Sequence, residues 1–343
     1  MKPDERQRIL RFWPALFSQG KLIDAHAGFS GAIVERLEIA GQHFALRGWP
    51  QDALPAARII GLHHFQRFLY DRGINQVSVP VMTAEGQSMI QHENRFWQLE
   101  PWMPGEANFL EQPSDAKLKS VMQLLARLHL AAGQHVSSSD AAQWFSISHS
   151  ASSPTIIERL LLVEQWSDTN PQTIRRLIDH KKIPETVKES LRQILTQFLS
   201  KVRMIQSELR EMLTCESTLQ PSLRDLWSDH VLFTDDRVTG LIDFGACRSE
   251  NPMIDLSRLL GSYFIRDSDS YRKAINWYDE IRPVSSAERK LFPVFDHSQR
   301  ILAGLTWIEW LIFEGKQPED WKSVQERLDQ IVPRMQAVQF ELL

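Results

Sequence analysis

Two acids two-thirds of the way along the chain carry the clearest chemical potential. Asp225 stands in Leu223-Arg224-Asp225-Leu226-Trp227-Ser228-Asp229-His230-Val231-Leu232-Phe233, and Asp243 in Val238-Thr239-Gly240-Leu241-Ile242-Asp243-Phe244-Gly245. The apolar runs 231–233 and 240–242 flank a polar Thr234-Asp235-Asp236-Arg237 turn, so a short hairpin is expected to bring Asp225 and Asp243 to the same end of the pair. With two carboxylates so placed, one accepts a proton from a hydroxyl while the other holds a cation that bridges polyphosphate oxygens. That is the division of labour phosphoryl transfer needs.

The elements that must position these acids can be read from hydrophobic spacing. Ile9, Leu10, Phe12, Trp13, Leu16 and Phe17 recur as in a helix. Residues 33–39 and 43–49 read as two strands around Ala40-Gly41-Gln42, a turn whose glycine permits positive φ. A helix is expected from Pro55 to Tyr70, ending near Gly73, followed by an alternating Val77, Val79, Val81 edge strand interrupted by Pro80 and a short apolar segment at Phe96 to Leu99. Pro101, Pro104 and Gly105 stop regular structure and predict a hinge over 100–105. Beyond it a core-facing helix runs from a cap at Ser114 through Leu118, Val121, Met122, Leu125 and Leu128 to Gly133. The serine-rich stretch 136–154 reads as a surface loop, and Pro184 to Leu213 as one long amphipathic helix. The apolar run Ile301–Ile312, with Trp307 and Trp310, reads as a buried helix in preference to an aromatic cage for a cation.

Composition narrows the function class. At 343 residues the chain has room for two packed units, and its 43% hydrophobic and 24% charged residues are those of a globular protein. A formal charge of −4 gives no basic field for nucleic acid. The most apolar run, Ile301 to Phe313, is interrupted by Glu309 and too short for a bilayer, so no membrane partner is expected. Two cysteines, Cys215 and Cys247, without metal-ligand spacing, and an N-terminus lacking a signal-like apolar core, point to a cytoplasmic protein.

Together, the Asp225 loop, the apolar Val231-Leu232-Phe233 and the Ile242-Asp243-Phe244-Gly245 motif resemble the aminoglycoside phosphotransferase and choline kinase-like family, which shares the protein kinase fold. A lone Asp-Phe-Gly is ordinarily a turn; its separation from Asp225, which is the family's, gives it weight. The resemblance implies an α+β, protein kinase-like architecture: a small β-containing N-terminal lobe over 1–99, a hinge at 100–105 and a larger helical lobe over 106–343. It implies that Asp225 is the catalytic base, that Asp243 is a ligand of Mg²⁺ or Mn²⁺, and that Asp255 braces the catalytic loop. Ala45 and Arg47 stand where the family roofs the nucleotide with Ala-x-Lys, the Gly28 to Gly31 loop would cover phosphates, and Glu100 and Trp102 lie in the hinge whose backbone holds adenine. Leu125-Ala126-Arg127-Leu128-His129 resembles the family's next helix, and the likeness runs over residues 25–260.

The chain also departs from the pattern. His230 replaces the family's metal-binding Asn, and imidazole suits softer divalent ions, so His230 is either a metal ligand or a structural histidine. Arg47 replaces Lys, and Leu223 replaces His. The 55–70 helix has no Glu to pair with Arg47, only His63, His64 and Gln66. The expected function is ATP-dependent phosphorylation of a hydroxyl on a small molecule. The alternative is a nucleotide-binding pseudo-enzyme of the same fold; protein kinase activity is disfavoured because no long activation segment fits between Asp243 and Asp255.

Overall fold

Alternation of apolar and polar residues builds the first sheet. In the computed structural model of the chain, which describes residues 1–27, 31–51, 54–318 and 320–338, strands β1 (Lys21–Ala27), β2 (Ile33–Ile39), β3 (Gln42–Gly48), β4 (Ile90–His92) and β5 (Arg95–Pro101) form an antiparallel sheet in the order β1-β2-β3-β5-β4. Register places Ala45 opposite Glu100 and Arg47 opposite Gln98, so these four side chains share one face. Leu37, Phe44, Leu46, Trp97 and Leu99 belong to the other face, which packs on Ile9, Leu10 and Trp13. The sheet is therefore apolar on one side and polar on the side that carries the candidate site.

The chain divides into two compact units. The first comprises residues 1–147 and 229–249, the second 148–228 and 250–343. In the first, helix α1 (Pro3–Leu10) is followed by a 3₁₀ turn at Ala15–Gln19, so the apolar run at 9–17 is divided instead of forming the single helix expected. Pro14 lies at the break, and a proline ends a helix one residue before it. Helix α2 (Ala56–Asp71) begins after Pro55 and buries Ile59, Leu62, Phe65 and Leu69. Helix α3 (Asp115–Ala132) starts at Ser114, whose hydroxyl accepts from the Lys117 amide, and ends at Gly133. The expected Val77–Val81 strand does not form. Val77 makes one bridge to Leu241 and the Val81 amide one bond to the Leu99 carbonyl, while Pro80 has no N–H to continue a ladder.

The serine-rich stretch is more ordered than expected. It contains a 3₁₀ turn at 139–141, a helical turn at Ala142–Phe145, a strand at Ser148–Ser152 and, at Ser153, the cap of the next helix. Ser153 accepts from the Ile156 amide as a helix cap, whereas the Ser152 hydroxyl donates to the distant Leu213 carbonyl at 2.7 Å. Residues 100–105 lie inside the first unit. Glu106 exchanges two backbone bonds of 2.9 Å with Phe233, and the Thr239 hydroxyl donates to the Pro104 carbonyl at 2.8 Å, so the segment is tied to the hairpin of strands Val231–Thr234 and Arg237–Leu241. Gly105, at φ 99, is required there: a Cβ would sit 2.4 Å from the Thr239 hydroxyl oxygen.

The second unit is helical around a strand pair, Ser148–Ser152 with Glu216–Ser222. Its long helix, Glu185–Glu211, packs against helices Pro154–Asp168, Ser286–Ile308 and Trp321–Gln336. Trp307, with Ile301, Leu305 and Ile308, is buried, as the core reading of that run expects. No helix among the described residues is long and apolar enough to cross a membrane.

Candidate active site

Arg47 projects from the polar face of β3 between two carboxylates. Its guanidinium lies 3.7 Å from Glu100 on β5 and 3.2 Å from Asp243 beyond the hairpin. Glu100 is itself buried and held, accepting from the Ser78 hydroxyl and the Gln98 amide at 3.0 Å each. Burial opposes the Arg47 charge, but Asp243 and Glu100 outweigh it and hold its pKa above the usual arginine value. The ion pair that α2 cannot supply is thus made by the neighbouring strand. Nothing in the spacing of one strand announces this; it follows from the β3–β5 register.

Asp243 has φ 61 and ψ 68, a left-handed conformation sparsely used by non-glycine residues. The turn presents its carboxylate to Arg47 through Oδ1 and to His230, whose Nε2 is 3.8 Å from Oδ2. Burial disfavours its charge, yet Arg47, His230 and the Gly245 amide prevail and keep its pKa below the ordinary carboxylate value. From α2, Arg58 donates to the Gly245 carbonyl at 3.4 Å, tying that helix to the Asp-Phe-Gly turn. Glu100, Arg47, Asp243 and His230 therefore form one line of alternating charge and imidazole.

This donor set suits a hard divalent cation in part. One carboxylate and one imidazole do not make a closed cage, and among the described residues no group of three His, Cys, Asp or Glu gathers as a metal centre. Mg²⁺ is commonly bound by one or two carboxylates together with phosphates and water, which is compatible with Asp243; an imidazole at His230 is better matched to Mn²⁺.

The other expected contacts separate from this line. Ala45 is buried on the same face as Arg47. The Trp102 amide donates to the His43 carbonyl at 3.0 Å, closing the sheet, while Arg36 lies over its indole at 4.8 Å. Gly28 falls outside the described residues; Gly31, at φ 78, is tethered through its carbonyl to Arg95 at 3.1 Å.

Asp225 belongs to the second unit. Its loop is held from the helix Met253–Tyr263, where the fully buried Asp255 accepts from the backbone amides of Leu223 and Arg224 at 2.8 and 2.6 Å. Arg224 adopts φ 66, an unusual conformation for a bulky residue. Three residues after Asp255, on the same helix, Arg258 donates Nε and an Nη to Asp225 Oδ1 at 3.1 Å each. Positions i and i+3 share a helix face, so one helix braces the loop with Asp255 and aims its acid with Arg258. The sequence held that signal in the spacing of Asp255 and Arg258.

A family model described as the phosphotransferase enzyme family matches residues 22–290. No curated protein matches the sequence. Among solved structures, the chain is similar to an aminoglycoside phosphotransferase from Alicyclobacillus acidocaldarius at 15% identity, covering 97% of this chain and 92% of that one with a TM-score of 0.60. It is similar to the microcompartment-associated aminopropanol kinase at 12% identity, covering 100% of both chains with a TM-score of 0.61. It is also similar to the AMP-bound spectinomycin phosphotransferase at 12% identity, covering 97% of both with a TM-score of 0.61. At such identities the likeness speaks for the fold, which is α+β and kinase-like as expected. The family match reaches from β1 past both acids, and the chain belongs to the phosphotransferase enzyme family.

Proposed function

We propose that the protein moves the γ-phosphoryl group of ATP to a hydroxyl of a small molecule. The observation that carries this reading is the Asp243 carboxylate, kept anionic in a left-handed turn between Arg47 at 3.2 Å and His230 at 3.8 Å. A cation suited to phosphate beside an acid suited to a divalent metal is what a triphosphate asks of its binding surface. Arg47 contacts phosphate oxygens; Ala45 and the backbone near Glu100 and Trp102 receive the base, with the Gly28 to Gly31 loop over the phosphates. Asp243 and His230 hold the metal. When bound, Mg²⁺ or Mn²⁺ supplies neutralisation of the polyphosphate charge. Asp225, aimed by Arg258, accepts the proton of the acceptor hydroxyl, and catalysis rests on positioning.

Support for the co-substrate comes from relatives solved with ADP or AMP. Support for a small acceptor comes from those named for aminoglycosides, aminopropanol and spectinomycin. Two free cysteines suit the reducing cytoplasm in which we place the reaction. A second reading, a nucleotide-binding pseudo-enzyme, is favoured by the direct Arg47–Asp243 contact, which engages the metal-binding acid itself.

The test is titration of ATP with Mg²⁺ and then Mn²⁺, following thermal stability and ATP turnover in wild type, Asp225→Asn and Asp243→Asn. Stabilisation by nucleotide and metal together is expected in wild type and lost in Asp243→Asn; turnover is expected to vanish in Asp225→Asn while binding survives. Binding without turnover under either metal assigns the pseudo-enzyme, and absence of binding overturns both readings.

A further inference from the structure

Helix α2 and the segment 79–96 enclose a cavity of about 610 Å³, within the range that holds small organic ligands. Ile60 of α2 and Met82, Met89 and Phe96 give it apolar walls. Ile60 and Met82 remain 39% and 46% exposed, a cost that a covering ligand would remove. Arg67 and His64 of α2 also line it, and none of its lining residues carries a carboxylate. Arg67 has a partner one turn on, Asp71 at 3.9 Å, but both are well exposed. Exposed pairs of this kind contribute well under about 1 kcal/mol, so the guanidinium is readily drawn to a competing anion.

The inner wall is set differently. Gln98 donates its amide N–H to Glu100, which fixes Gln98 Oε1 as an acceptor for the Trp49 indole N–H at 2.7 Å and for His63 Nε2 at 2.9 Å. His63 is therefore the Nε2–H tautomer, and its Nδ1 accepts the Ser88 hydroxyl at 2.8 Å. His63 and Ser88 both line the cavity, and both are satisfied within the protein. Depth is thus apolar and neutral, while the guanidinium of Arg67 lies at the outer part of α2.

We propose that this cavity is a binding site, separate from the nucleotide surface, for a small amphipathic anion: a carboxylate or phosphate ester bearing a short apolar tail. The tail lies against Ile60, Met82, Met89 and Phe96, and the anionic head pairs with Arg67, displacing Asp71. The site needs no nucleotide and stands apart from the catalytic reading.

Isothermal titration of the full chain with octanoate tests it, with acetate and octanol as controls for head and tail alone. Saturable binding of octanoate at one site per chain is expected, with acetate and octanol weaker by about tenfold or more. Arg67→Gln should weaken octanoate about tenfold and leave octanol unchanged. Met82→Trp, which fills the cavity from an exposed position, should abolish both. Both side chains are exposed, and unchanged melting temperatures check that the variants fold. No saturable binding in wild type, or binding indifferent to both substitutions, overturns the proposal. So does a dimer that buries this face and excludes octanoate, read by sedimentation.

Discussion

Glu100 on β5 faces Arg47 on β3 at 3.7 Å and makes the carboxylate–cation pair that helix α2 lacks the residue to make. The substitution has a structural logic. A carboxylate on an adjacent strand is fixed by the sheet, whereas one on a helix moves with the helix. Arg47 is consequently held by Glu100 from the sheet and by Asp243 from the Asp-Phe-Gly turn, and α2 contacts that turn separately through Arg58.

Removing that carboxylate should show both halves of its role. In Glu100→Gln the shape remains, but Arg47 loses one of its two anions and Ser78 and Gln98 lose a charged acceptor. Unfolding in urea should be easier by about 2 kcal/mol. Nucleotide affinity should fall about tenfold as Arg47 collapses onto Asp243 alone. Wild-type values for both would mean that Glu100 is a spectator.

If Asp225 is the base as proposed, Arg258, which holds it through two nitrogens, is a positioning residue. Arg258→Gln should lower kcat by about tenfold to a hundredfold while nucleotide affinity and KM for the acceptor change little, because only the aim of the acid is lost. Arg258→Lys should recover part of the loss by keeping the charge without the two-nitrogen grip. A parallel rise in KM with kcat intact would place Arg258 in acceptor binding instead.

Much of this was legible in the sequence where local chemistry decides the outcome. The Ser114 cap and Gly133 stop bound α3 as expected, and β2, β3 and the hairpin follow from alternation around polar or glycine turns. The misreadings come from local prolines, as at Pro14, and from partners remote in sequence. Val77 to Val81 alternates like a strand, yet Pro80 and single bonds to Leu241 and Leu99 leave it irregular. The serines of 136–154 resemble a loop by composition, but a neighbour at 216–222 turns part of them into a strand. Glu100 reads as the start of the hinge because prolines follow it; its place beside Arg47 comes from strand register, which no local pattern shows. Asp255 and Arg258 were within reach, because helical spacing alone puts them on one face.

Acid should destabilise the first unit through its buried histidines. Burial pushes His63 down to about 4, with the Gln98 bond opposing and the charges of His64 and Arg47 adding to the fall; burial and His64 take His135 to about 4 as well. Unfolded histidine titrates near about 6.5, so as pH falls below that value the unfolded chain takes protons the folded chain refuses. Stability is complete above about 6.5 and is lost progressively down to about 4, by something on the order of 3 kcal/mol for each histidine. Melting temperature measured from pH 7 to pH 4.5 should therefore fall less steeply in His63→Gln than in wild type, and less steeply again when His135→Gln is added. Superimposable acid limbs would show that neither imidazole is held neutral by the fold.

The hydrogen bonds behind the α2 cavity run without a break from Ser88 through His63 and Gln98 to Glu100, and Glu100 is the partner of Arg47. Every member but Arg47 is fixed by direction: Ser88 donates to His63, His63 to Gln98, Gln98 to Glu100. A ligand seated in the cavity, whose inner wall holds Ser88 and His63, should therefore be felt at Arg47, the cation proposed to grip phosphate. Given nucleotide binding as proposed, saturating octanoate should change the ATP dissociation constant by about threefold or more, and ATP should change that of octanoate by the same factor, since coupling between two sites is reciprocal. Lying between two sites is not proof of coupling, so the deciding variant is Gln98→Met, which keeps bulk but cuts the chain in its middle. Octanoate and ATP should each still bind to it, now independently. Equal coupling in wild type and Gln98→Met would mean that the signal travels by another route, and no coupling in wild type would leave the three hydrogen bonds as scaffolding for Glu100 and Arg47.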